Sequence, residues 1–60
     1  MKAKIYNYKS GAWVEFEKIG IWYRVAVYSA TGAQLDKIRL DDYRNALAYL
    51  QSFRAIAKNS

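Results

Sequence analysis

The side chains that carry most protein chemistry are scarce in this chain. It contains neither histidine nor cysteine, which removes the commonest general base, the commonest transition-metal ligand, and every thiolate site or disulfide. Ser10, Ser29, Ser52 and Ser60 stand in none of the contexts that make a serine nucleophilic. Glu15 and Glu17, two apart, share one face of an expected strand and imitate a carboxylate pair, but a flat sheet gives them no water-excluding cleft. Asp41 and Asp42 have no third ligand nearby and suit the start of a helix better than a metal ion. The three glycines are too far apart to build a phosphate-cradling loop. The expectation is a binding protein and not an enzyme, with no metal and no cofactor.

The residues suited to binding lie in "GIWYRVAVYSATG", Gly20 to Gly32. Strand alternation divides it into Ile21, Tyr23, Val25 and Val27 on one side and Trp22, Arg24, Ala26 and Tyr28 on the other. In "AWVEFEK", Ala12 to Lys18, Val14 and Phe16 take one side, and Trp13, Glu15 and Glu17 the other. Lys2 to Lys9 is tyrosine-rich and loosely alternating, a first strand closed by a turn at Ser10 and Gly11. Gln34 to Leu40 returns from the "YSATG" loop as a fourth. Beyond it the period changes. Tyr43, Ala46, Leu47, Leu50, Phe53 and Ala57 recur every three or four residues, with Tyr49 and Ile56 on the flank, which predicts a helix from about Asp42 to Lys58. Asp41 or Asp42 would cap it.

These elements predict a single small α+β domain over residues 1–60, an antiparallel meander of three or four strands with one C-terminal helix on one face. The helix stripe would cover Ile5, Val14, Phe16, Ile21, Tyr23, Val25 and Val27, with either Leu35 or the pair Ile38 and Leu40. The other face would stay open. Trp13, Trp22, Arg24, Tyr28, Lys37 and Arg39 are the binding candidates there, joined by Tyr6 and Tyr8 if the first strand pairs in that register. Lys2, Lys4 and Lys9 read as guards of an edge strand. Arg44, Arg54 and Lys58 read as a solvated helix face.

Ten Lys and Arg against five Asp and Glu leave a formal charge of +5, which tilts encounters toward nucleic acid or acidic proteins. No apolar run approaches the roughly 20 residues needed to cross a bilayer, and "MKAKIYNYKSG" has no signal-peptide core, so a cytoplasmic protein without membrane contact is expected. Rings interleaved with cations suit a polynucleotide, since bases stack on the rings while the cations neutralise phosphates, and a sheet face with an arginine can also enter the DNA major groove, so DNA is expected ahead of RNA. The same residues suit a protein interface, including a homodimer. Glu15 or Glu17 opposite Arg24 is equally well read as a cross-strand pair that stabilises the sheet.

From Tyr23 to Leu50 the chain resembles the AP2-like arm-type DNA-binding domain of tyrosine recombinases. The resemblance lies in "YRVAVYSATG", in Lys37 on the returning strand, and in "NALAYL" on the apolar side of the helix. It implies DNA contact through the sheet face by Arg24, Tyr28, Lys37 and Arg39. It also implies an accessory or regulatory role, of the kind encoded by phages and mobile elements.

Overall fold

Three short loops and one change of period organise the chain. The computed structural model describes residues 2–59, so Ser60 lies outside it, as does the side chain of Lys2. Four strands, β1 (Lys2–Asn7), β2 (Trp13–Ile19), β3 (Trp22–Tyr28) and β4 (Gln34–Leu40), pair antiparallel in the order β1-β2-β3-β4. The helix α1 (Tyr43–Lys58) follows and packs on one face. The fold is α+β.

The first two reversals each have a local cause. At the first, the Gly11 N–H donates to the Tyr8 carbonyl at 2.9 Å, and Gly11 holds a φ of +93°, a left-handed conformation open to glycine at little cost. Its Cα also faces Ala30, whose Cβ would lie 2.9 Å from any Cβ added to Gly11. The second reversal is a two-residue loop, because Ile19 pairs with Trp22 and leaves only Gly20 and Ile21 between them. Positive φ at Gly20 but not at Ile21 is the pattern of a II′ hairpin turn. The loop takes Ile21 out of the pleat and leaves it 85% exposed. This corrects its expected place beneath the helix, which extended strand alternation through the turn.

The helix begins where Asp42 adopts extended backbone and its carboxylate accepts the Arg44 N–H at 2.8 Å, so Asp42 and not Asp41 is the cap. The buried face of α1 is narrow, made of Ala46, Leu50, Phe53 and Ala57. The alanines, fully buried, let the helix lie close to the sheet, where Val14, Val25 and Val27 are the largest fully buried side chains. Ile38 and Leu40 pack against this core, whereas Leu35, beside an irregularity in the β3–β4 register, stays exposed. Of the two alternatives for β4, the pair faces the helix.

Register determines which residues of β1 face which way. Tyr6 pairs with Val14 and Ile5 with Glu15. Ile5 therefore stands on the open face, 58% exposed, and is not under the helix. Tyr6 and Tyr8 point to the helix side and pack against the core, so neither joins the open face. A one-residue difference in register exchanges the faces of a whole strand, and "IYNY" alternates too weakly to decide it alone. The Tyr8 hydroxyl, accepting from Arg54 Nε at 2.7 Å, and Ser10 Oγ, donating to the Ala57 carbonyl at 3.2 Å, tie the β1–β2 turn to the far end of α1.

Candidate functional site

The uncovered face of the sheet carries every residue that the sequence singled out for binding. Trp13 on β2 pairs with Tyr28 on β3, Glu17 with Arg24, and Glu15 with Ala26. Arg24 pairs in turn with Arg39, and Ala26 with Lys37. Trp22 lies at the end of the same side of β3, opposite Ile19. Both indoles thus point away from the helix.

Much of that face is bonded to itself. The Trp13 and Tyr28 rings stack at 5.1 Å with 15° between their planes, and Trp13 Nε1 donates to Glu15 Oε2 at 3.0 Å. Arg24 donates to the Tyr28 hydroxyl at 2.8 Å and to Glu15 Oε1 at 3.4 Å, with Glu17 at 3.9 Å. Burial works against its charge, but the bonds to Tyr28 and Glu15 outweigh that, and the Arg24 pKa stands above its ordinary value. Ala26, on the same side between Arg24 and Tyr28, is completely covered. The Arg39 guanidinium lies 4.7 Å from the centre of the Trp22 ring, within cation–π range. The result is a polarised surface, with Glu15 and Glu17 on β2, a neutralised Arg24 on β3, and Lys37 and Arg39 on β4.

A second surface lies on the helix side. Helix α1 crosses mainly β3, with smaller contacts to β2 and β4, so β1 is left at the margin of its footprint. Beside the first half of α1 the margin is a groove of about 340 Å³, walled by Tyr6, Phe16, Tyr23 and Tyr43 and flanked by Lys4 and Lys18. Beside the second half is a cleft of about 610 Å³ lined by Tyr8, Lys9, Ser10, Arg54 and Lys58 among others. Arg54 joins the two, since it lines the cleft while its guanidinium lies 4.8 Å from the centre of the Tyr6 ring in the groove. The rings form a chain, Phe16 to Tyr23 at 5.9 Å and Tyr23 to Tyr43 at 5.5 Å. Lys18 Nζ sits 5.9 Å from the Tyr23 centroid. Among the described residues no carboxylate lines either hollow. Both ion pairs among the described residues involve Arg24, on the opposite face.

This helix-side trough was not foreseen from sequence. Lys4 and Lys9 read as edge guards and Arg54 and Lys58 as solvated helix, because nothing in one dimension says that the helix lies off-centre. One signal was available: Lys4, Tyr6 and Tyr8 alternate, as do Phe16 and Lys18, so any register that turns the tyrosines inward brings the lysines to the same side.

Among the described residues no three His, Cys, Asp or Glu side chains gather as metal ligands, and no helix is long and apolar enough to cross a membrane. Comparison with protein-family models, with curated proteins and with solved structures finds no match for this chain.

Proposed function

We propose that this protein binds nucleic acid, and that a single strand occupies the trough beside α1. One observation carries the reading: Lys4 and Lys18 flank a groove walled by Tyr6, Phe16, Tyr23 and Tyr43, Lys9, Arg54 and Lys58 line the neighbouring cleft with Tyr8, and among the described residues no acidic side chain lines either. A polynucleotide needs both features together, cations for successive phosphates and flat rings for unpaired bases, each stacked base contributing about 1–3 kcal/mol. The sixteen residues of α1 give the trough a length of roughly 24 Å, enough for a site of about four nucleotides. The open sheet face fits the same ligand less well, since Glu15 and Glu17 occupy its centre and already engage Arg24. The role is an accessory or regulatory one, with DNA as the first ligand to try.

Aromatic proton shifts, with the two indole N–H signals as internal controls, test the reading in a titration with a short single-stranded DNA. Tyr6, Tyr23 and Tyr43 are expected to shift while the indoles of Trp13 and Trp22 hold still. An unresponsive spectrum at low salt refutes nucleic-acid binding, and shifts restricted to the indoles refute the site.

A further inference from the structure

We propose that the open sheet face is a homodimer interface in which β2 of each copy lies over β4 of the other, related by a two-fold axis along β3. The inference goes beyond nucleic-acid binding and does not depend on it. It starts from the polarity of the face. Strands stand about 4.8 Å apart, so the carboxylates of β2 and the cations of β4 flank β3 at equal distances on opposite sides. A two-fold axis parallel to the strands turns left into right and preserves height along the strand.

The pairing register then fixes which charges meet. Glu17, Arg24 and Arg39 form one row across the sheet, and Glu15, Ala26 and Lys37 another. The rotation brings Glu17 over the partner's Arg39 and Glu15 over the partner's Lys37, each contact occurring twice. An axis perpendicular to the strands would instead set carboxylate on carboxylate, and opposed like charges are destabilising. On the axis itself lie Trp22, Arg24, Ala26 and Tyr28; the two Arg24 guanidinium groups face each other there, each already paired with Glu15 of its own chain at 3.4 Å, and Tyr28 is held by its stack on Trp13 and its bond from Arg24. Such a prefixed surface loses little side-chain entropy on association. Aromatic rings with arginine are also the composition of interface centres.

Size determines strength. The three strands that overlap, β2, β3 and β4, of seven residues each, present a flat area of roughly 330 Å² per copy, well below the ~800 Å² of a standard interface. The association is therefore of the weak, concentration-dependent class.

Charge reversal tests it without any nucleic acid. Sedimentation of the native chain at rising concentration in low salt is expected to show the mass climbing from 7.0 kDa toward twice that value. Glu17→Arg alone sets cation on cation, and Arg39→Glu alone sets carboxylate on carboxylate, so each variant by itself stays monomeric. An equimolar mixture of the two restores both attractive contacts and is expected to recover the dimer. A native chain that stays monomeric at millimolar concentration overturns the proposal, as does a mixture that associates no better than its parts. If either variant loses its cooperative unfolding transition, isotope-filtered contacts in a half-labelled native sample decide the matter. Contacts between Glu17 and Arg39 of different copies support the interface, and contacts through any other face refute it.

Discussion

If a strand lies in the trough, its affinity must carry the electrostatic signature of the five cations that line it. Each neutralised phosphate of a single strand adds about −0.7 to the slope of log affinity against log salt. All five of Lys4, Lys9, Lys18, Arg54 and Lys58 would give a slope of about −3.5, a loss of roughly 100-fold between 50 and 200 mM salt. Lys4 and Lys9 are the most informative pair to remove, because both are exposed and neither takes part in the Arg54 and Ser10 contacts that hold the turn. Lys4→Gln with Lys9→Gln is expected to reduce the slope to about −2.1, leaving roughly a 20-fold loss over the same range. Lys37→Gln, on the opposite face, is expected to leave it unchanged. Fluorescence anisotropy of a labelled single-stranded oligonucleotide across a salt series measures all three. A native slope shallower than −1, or one that responds to Lys37→Gln and not to the double variant, refutes the assignment of the trough.

Two predictions concern the frame that holds these surfaces. Gly11→Ala meets both a left-handed backbone and the Ala30 Cβ at 2.9 Å, and is expected to destabilise the domain by about 2 kcal/mol or more. Gly20→Ala, with a φ of +62° but nothing within 4 Å of the added methyl, should cost about 1 kcal/mol; equal urea midpoints for the two would refute the role given to Ala30. Asp42→Ala removes the acceptor of the Arg44 N–H and is expected to lower stability by about 1 kcal/mol, read as a lower urea midpoint at an unchanged m-value.

The fold was legible wherever one residue spacing dominated. Ala46, Leu50, Phe53 and Ala57 could serve only a helix with one buried side, and Val14 with Phe16, or Val25 with Val27, only strands covered on one face. The open-face candidates followed from the same alternation, which is why Trp13, Trp22, Arg24, Tyr28, Lys37 and Arg39 do share a side. Legibility failed where alternation was weak or interrupted. Ile5 and Tyr6 are both apolar enough to face inward, and Ile21 continues a strand pattern that the two-residue loop breaks.

By itself, then, the sequence determined the number and order of the elements, the face on which the two tryptophans stand, and the absence of histidine and cysteine chemistry. These are properties of local period and composition, carried by neighbours along the chain. Only the tertiary structure decided that Glu15 and Glu17 hold Arg24, that Tyr6 and Tyr8 turn toward the helix, and that Lys4, Lys9, Lys18, Arg54 and Lys58 gather beside it. Those arrangements depend on register between strands and on the lateral position of α1. Both are set by contacts between residues far apart in the chain, such as Arg54 with Tyr8 and Ser10 with Ala57, and no periodicity within a segment encodes them.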